Sequence, residues 1–243
     1  MALILITGHS RGLGAALTQQ LLHAGHRVIG FSRGAITSLD TRLADQLQEI
    51  AINLGDPLEL ESLVNPAIFD DLLRGHSQVV IINNAGRLSP IGFAGRLSSV
   101  EIVQSVIANT AAPIALSNAF LHASQHCTDR RILQISSGAA RSPYAGWSVY
   151  CATKAALDRF SEAIAAEQHP HLRIESLAPG IIDTDMQAQV RATSIDTFPM
   201  RPKFDQLKAS GALTKPADAA KAIITHLFSD RFGKQTSTDL RQL

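Results

Sequence analysis

A chain of 243 residues with 45% hydrophobic content is long enough to bury a large core within one α/β domain. Its formal net charge of +1, with Lys and Arg scattered rather than clustered, gives no electrostatic footprint for nucleic acid or an anionic membrane, so the expected partner is a small molecule. The two cysteines, Cys127 and Cys151, show neither a disulfide framework nor zinc-ligand spacing, and no metal is expected.

The N-terminus, Met1-Ala2-Leu3-Ile4, lacks the basic flank of a secretion signal, and apolar runs such as 79–82 are too short to span a bilayer, so a cytoplasmic protein is expected. Short aliphatic runs at 3–6, 27–31, 49–52, 79–82, 131–135 and 172–177 alternate with longer helical patterns, which predicts a parallel sheet. After the first run, Leu13, Leu17 and Leu21 recur at helical spacing until Gly25 stops the helix. The run 79–82 is apolar throughout, as a central strand covered on both faces should be. The fold expected is a three-layer, doubly wound, Rossmann-type parallel sheet forming one domain over 1–243. Cys127 and Cys151 fall in segments that read as different helices, and His122 and His126 read as neighbours on one exposed helix face. The segment 185–211 reads as an irregular, mobile flap carrying Met186, Phe198, Met200 and Phe204. No strand signal stands out in 233–243, so a seventh strand there would be short or irregular.

The first strand runs straight into Thr7-Gly8-His9-Ser10-Arg11-Gly12-Leu13-Gly14. Glycines let the backbone turn tightly and approach a phosphate, and the helix that follows offers unpaired N–H groups, so this turn suits a dinucleotide pyrophosphate. Gly8-His9-Ser10-Arg11-Gly12 also matches the G-x-S-x-G elbow of serine hydrolases, but such elbows follow several strands and precede an acid and a histidine, and no such pair stands out here. The second strand ends Gly30-Phe31-Ser32-Arg33, with no acid to take the ribose hydroxyls of NAD. Arg33 can clamp a 2′-phosphate, Ser32 can donate to it, and Arg11 can add a second charge, which together point to NADP(H).

Two further segments belong together: Ser136-Ser137-Gly138 after the fifth strand, and Tyr150-Cys151-Ala152-Thr153-Lys154 opening a helix. Positions i and i+4 share a helix face, so Tyr150 and Lys154 project the same way, and a nearby ammonium can lower a phenol pKa from about 10. Ser137 can hydrogen-bond a substrate carbonyl oxygen.

With Thr7 to Gly14, Asn83-Asn84-Ala85-Gly86, Ser137 with Tyr150-x-x-x-Lys154, and Pro179-Gly180-Ile181-Ile182-Asp183-Thr184, the chain resembles the classical short-chain dehydrogenase/reductases over nearly its whole length. The resemblance implies a catalytic tetrad of Asn109, Ser137, Tyr150 and Lys154, in which the tyrosine donates a proton, the lysine binds the nicotinamide ribose, the serine positions the carbonyl and the asparagine holds a relay water. It also implies cofactor contacts at Gly8, Ser10, Arg11, Gly12, Leu13, Gly14, Ser32, Arg33, Asn84, Ala85 and Gly86, and at Pro179, Gly180, Ile182 and Thr184 around the carboxamide. Asn53-Leu54, ending the third strand, stands where many relatives carry an acid, and the asparagine can still accept from the adenine amine. More narrowly, 136–151 and Asp183-Thr184-Asp185-Met186 look like the bacterial benzil reductase and sepiapterin reductase branch, which implies NADPH-dependent reduction of a ketone or α-dicarbonyl. Trp147 would present a flat apolar wall to substrate, Met186 would line the same pocket, and Asp239 would anchor a polar substrate group.

Apolar residues Val103, Val106, Ile107, Ile114 and Leu116 exceed what one buried helix stripe needs, and in the family this helix pairs with its copy, so a homodimer or homotetramer is expected. The alternative function is an NADP-sensing protein without turnover. Ser137, Tyr150 and Lys154 argue against it, since a sensor has no physical need for a tuned tyrosine. Replacing Arg33 by Asp is expected to weaken NADPH binding far more than NADH binding in fluorescence titrations; equal loss for both cofactors would contradict the NADP assignment.

Overall fold

In the computed structural model, which describes residues 1–37 and 39–243, seven strands form one parallel sheet in the order β3-β2-β1-β4-β5-β6-β7. The strands are β1 (Leu3–Thr7), β2 (Arg27–Ser32), β3 (Leu47–Ala51), β4 (Gln78–Asn83), β5 (Asp129–Ile135), β6 (Leu172–Ala178) and β7 (Ser237–Asp239). The strand order reverses between β1 and β4, which are paired from Leu3↔Val79 to Ile6↔Ile82. In an open α/β sheet the crevice beyond the carboxyl ends at such a reversal is where ligands bind.

Strand residues alternate between two hydrophobic layers. Leu3, Leu5, Phe31, Val79 and Ile81 face one side. There they meet α2 (Pro57–Leu63), α3 (Pro66–Leu73) and α5 (Ala112–Ala123) through Leu60, Phe69, Leu73, Leu116 and Phe120. Ile4, Ile6, Val28, Val80 and Ile82 face the other, against Leu17 and Leu21 of α1 (Gly12–His23) and Ile223 of α9 (Pro216–Leu227). Both faces of β1 and β4 are therefore dry, which is why those strands read as continuous apolar runs. α6 (Ser148–Ala166) joins the first layer through Ile164. The three-layer parallel architecture expected from the sequence is the one found.

Several local expectations are corrected. β3 stops at Ala51, so Asn53 and Leu54 follow the strand instead of ending it. α5 ends at Ala123, because the chain must turn there to enter β5; Cys127 and His126 therefore lie in the connecting turn rather than on a helix. Cys127 Sγ donates to the His76 carbonyl across that turn at 3.1 Å. The 185–211 segment is not irregular: it folds into α7 (Asp185–Ala192) and α8 (Arg201–Ala209), with Pro202 in the first turn of α8, where its missing N–H costs nothing. The helical stretch Ser99–Ala123 is, by length and composition, apolar enough to cross a membrane, which a reading confined to short runs misses. It comprises α4 (Ser99–Val106), a π-helical turn at Ile107–Ala111 and α5, and α5 buries Leu116 and Phe120 against the sheet. β7 has only three residues, in line with the weak signal at the C-terminus.

Phe120 has no exposed surface and bridges α5 to the first hydrophobic layer. Truncating it to Ala should cost about 3 to 5 kcal/mol through lost transfer energy and the cavity left behind. A urea denaturation midpoint shifted by less than the equivalent of about 1 kcal/mol would show that this layer can collapse around the gap.

Candidate active site

The turn after β1 is glycine-built for steric reasons that can be read atom by atom. Gly8 and Gly12 have φ of +67° and +54°, and a Cβ on Gly14 would stand 1.9 Å from the Gly8 carbonyl oxygen. The N-cap residue of α1, Arg11, makes no side-chain capping bond, so the first N–H groups of the helix are left for a ligand. Thr7 Oγ1 accepts from the N–H groups of Asn84 and Ala85 at 3.0 and 2.9 Å, and Asn84 Nδ2 donates to the Thr7 and Gly8 carbonyls. The segment after β4 is thereby welded to the glycine turn. Thr184 closes it from the far side, since a Cβ on Gly12 would lie 3.3 Å from Thr184 Cγ2.

These features make a cradle that fits a dinucleotide. Arg11 and Arg33 are exposed beside it, while Leu13, in the first turn of α1, is buried and Ser10 is half-buried. A Cβ on Gly86 would sit 3.5 Å from Asn109 Oδ1 and 3.6 Å from Lys154 Nζ, so this glycine keeps open the space between the two side chains. Two expected contacts are otherwise engaged. Ser32 Oγ donates to the Gly34 carbonyl at 2.5 Å, and Asn53 Oδ1 accepts from the Gly55 N–H at 3.2 Å. Pro179, Gly180 and Thr184 are half-buried on the loop after β6, and Ile182 is buried, bridging to Thr214.

The four tetrad candidates converge at the carboxyl ends of β4 and β5. Of the two adjacent serines, Ser136 is buried and donates to Asp158 Oδ1 at 2.7 Å, whereas Ser137 is partly exposed and hydrogen-bonds the Tyr150 side chain. Asn109 lies in the π-helical turn, a distortion that often marks functional positions. Its amide is engaged by protein at both ends: Oδ1 accepts from the Arg87 N–H at 2.8 Å, and Nδ2 donates to the Arg87 carbonyl at 2.8 Å and to Thr153 Oγ1 at 3.2 Å. It therefore clamps the segment after β4 to α6, next to Lys154.

Lys154 is 4% exposed, and its Nζ donates to the Ile135 carbonyl at 2.7 Å and lies 6.0 Å from the centre of the Tyr150 ring. Burial pushes the ammonium down to about 8, opposed by the negative charge of Asp158. Burial pushes the Tyr150 phenol above its ordinary value, and only the Ser137 hydrogen bond pulls it back. The expectation of a phenol acidified by the lysine is thus corrected: the two do share a helix face, but the ammonium is held by a strand carbonyl rather than by the hydroxyl.

In front of Tyr150 stands an aromatic cluster. The Trp147 ring meets Tyr150 edge-on at 5.6 Å and stacks on Phe198 at 4.4 Å and 14°, with Phe204 at 5.4 Å. Met186 packs against the same cluster, and Trp147 is 5% exposed with one face stacked on Phe198, so the indole is built into the core rather than presented as an open wall. The 185–211 segment covers the site: a Cβ on Gly146 would lie 2.4 Å from the Thr197 carbonyl, and Lys208 pairs with Asp183 at 2.6 Å. A cavity of about 340 Å³ lined by His226, Arg231, Lys234 and Asp239 lies toward the C-terminus, away from the tyrosine. Asp239 is not free to anchor a substrate, because both carboxylate oxygens are held by Arg241.

Three participants carried no sequence signal that was read. Asp158 stands four residues after Lys154, a helical spacing that could have revealed it. His9, inside the glycine turn, is 1% exposed and meets Glu49 Oε1 at 2.6 Å, and the same oxygen accepts from the Ile36 N–H. Arg241 is the third residue from the end, where no pattern speaks for it. Among the described residues, no group of three or more His, Cys, Asp or Glu side chains could hold a metal ion.

Residues 2–195 match the family model described as short chain dehydrogenase. A benzil reductase ((S)-benzoin forming) of Bacillus cereus is 36% identical over 241 residues, spanning 96% of each chain. A sepiapterin reductase of Mus musculus is 31% identical over 252 residues, spanning 98% of this chain and 96% of its own. The crystal structure of a short-chain dehydrogenase/reductase from Burkholderia vietnamiensis superposes with a TM-score of 0.72 at 36% identity, over 100% of this chain and 98% of the other.

The depressed Lys154 value carries a pH consequence. Its folded value of about 8 lies below the ordinary 10.5, so the free protein loses this charge as pH rises through about 8. The profile of kcat/KM for cofactor, which reports the free protein, should therefore fall above about pH 8. Fold stability should rise between that value and 10.5, because there the unfolded chain binds the extra proton. A cofactor profile that stays flat to pH 10 would show that Lys154 does not act as a cation.

Proposed function

We propose, from the premise that this chain belongs to the short-chain dehydrogenase family, that it is an NADPH-dependent carbonyl reductase acting on a ketone or α-dicarbonyl. The observation that carries the proposal is the buried cluster of Tyr150, Ser137 and Lys154 at the carboxyl edge of the sheet, beside an aromatic cluster. The bound cofactor would supply a hydride to the carbonyl carbon. Ser137 would hold the carbonyl oxygen, and Tyr150 would hand its proton to that oxygen as charge develops. A phenol raised by burial is fully protonated at neutral pH, which is the form a donor needs. Lys154, beside the space that Gly86 leaves open, would take the nicotinamide ribose and offset the phenolate left after transfer. Asn109, its amide engaged at both ends, would serve by fixing the Arg87 backbone against α6 rather than by holding a relay water itself.

Preference for NADPH rests on Arg11 and Arg33, both exposed beside the cradle, and on the absence of an acid at the end of β2. The preference for a dicarbonyl rests on the similarity to benzil and sepiapterin reductases. The whole chain, 1–243, would act as one unit in the cytosol, with the 185–211 segment lifting to admit substrate and closing to exclude water. Val100, Val103 and Val106 leave an apolar strip of α4 exposed, suited to pairing with a second copy in a dimer or tetramer.

Tyr150→Phe separates this reading from a silent NADP sensor. NADPH oxidation followed by absorbance against diketones, quinones, pterins and simple ketones should show activity on dicarbonyls, and the variant should lose at least about 1,000-fold while binding NADPH as before. Turnover retained in the variant, or no turnover of any carbonyl by the parent protein, would overturn the proposal.

A further inference from the structure

β7 places Asp239 in register with Ala178, directly beside the strand end that leads into Pro179 and Gly180. The carboxylate is 7% exposed, and the chain turns back over it: Oδ1 accepts from the Arg241 backbone N–H at 3.0 Å and from Arg241 Nε at 2.8 Å, and Oδ2 accepts from Arg241 Nη2 at 2.5 Å. Gly180, with φ of +83°, packs beside it: the Arg241 stem lies 3.7 Å from where a Cβ would be, an ordinary contact. Arg241 also lies within electrostatic range of Tyr144, whose ring is 5.2 Å from that of Trp147. The guanidinium thus lies against the loop after β6, on the side that faces Tyr144.

Its surroundings decide what it can recognise. The other cation nearby, Arg141, is spent on Asp158, Ser237 and the Thr238 carbonyl. The Arg241 side chain is 64% exposed, and among the described residues its Nη1 amine has no protein partner. A guanidinium with two donors fixed on a carboxylate keeps its remaining N–H groups aimed and ready for an acceptor.

We infer that Arg241 is a specificity-determining residue: it offers a positioned cationic N–H to an anionic acceptor on the outer part of the substrate, and by occupying Asp239 it denies that carboxylate to substrates carrying a cationic donor. The preferred substrate class is then a carbonyl compound that bears a carboxylate away from the reacting carbon. This inference rests on the carbonyl-reductase reading above.

The test compares 1-phenyl-1,2-propanedione with its para-carboxylate and para-amidinium derivatives, which share the reacting group and differ in the charge at the far end. In the parent protein kcat/KM should favour the carboxylate over the amidinium. In Arg241→Met the ratio should fall by about tenfold or more, as a charge-assisted hydrogen bond is lost and Asp239 is released to face the amidinium. In Asp239→Asn, which keeps the guanidinium and removes its counter-charge, the ratio should rise. If Arg241→Met proves poorly folded by circular dichroism, the asparagine variant and the salt dependence of the parent ratio decide, and that ratio must shrink as ionic strength rises. A ratio within twofold of the parent value in Arg241→Met, or a fall in Asp239→Asn, or a parent ratio indifferent to salt, would overturn the inference. If instead the parent protein reduces none of the three compounds, the carbonyl-reductase reading fails; turnover of the unsubstituted dione with unaltered ratios sinks only the role of Arg241.

Discussion

The arrangement depends on an ammonium group taken out of water. Lys154 is 4% exposed, and an isolated buried charge is among the most expensive things a fold can hold. Two groups offset that cost: the Ile135 carbonyl, which accepts from Nζ at 2.7 Å, and the Asp158 carboxylate one helical turn along α6. Asp158 is itself anchored by Ser136, Ser176, Ser237 and Arg141, which belong to the ends of β5, β6 and β7 and to the loop leading to Trp147. The carboxylate that steadies the lysine therefore also ties α6 to β6, β7 and Ser136, the neighbour of Ser137.

Burial acts on the neighbouring phenol in the opposite sense. It favours the neutral form, so Tyr150 holds its proton firmly in the cofactor-free protein. Under the proposed mechanism, proton donation would then depend on charge developing on the substrate oxygen rather than on a phenol already half ionised. The 185–211 segment sustains this environment, with Phe198 and Phe204 packed on Trp147 and Lys208 holding Asp183.

The central features of the fold were legible because they follow from local rules. A continuous apolar run marked β4 as a doubly covered strand, and the glycines after β1 marked a tight turn open to a phosphate. The i, i+4 spacing of Tyr150 and Lys154 gave their shared face. What stayed hidden depends on long-range contacts. No local pattern shows that Lys154 reaches back to Ile135, that Asp239 is covered by Arg241, or that His9 meets Glu49 forty positions away. The 185–211 segment was misread for a related reason: α7 and α8 are short, and each buries only one residue fully, Val190 and Phe204, so periodicity was too weak to show two helices. The end of α5 was likewise misplaced by a few residues, because nothing in 124–127 signals a stop as strongly as glycine or proline would.

The central claim is that burial keeps the Tyr150 phenol protonated, and it can be tested without any substrate. The chain contains two tyrosines, so in a Tyr144→Phe variant the ultraviolet absorbance of tyrosinate reports Tyr150 alone. Titrating the folded, cofactor-free variant should give a midpoint above the ordinary 10. A midpoint clearly below 10 would mean that the lysine charge, not burial, governs the phenol, and the account of this site would be wrong.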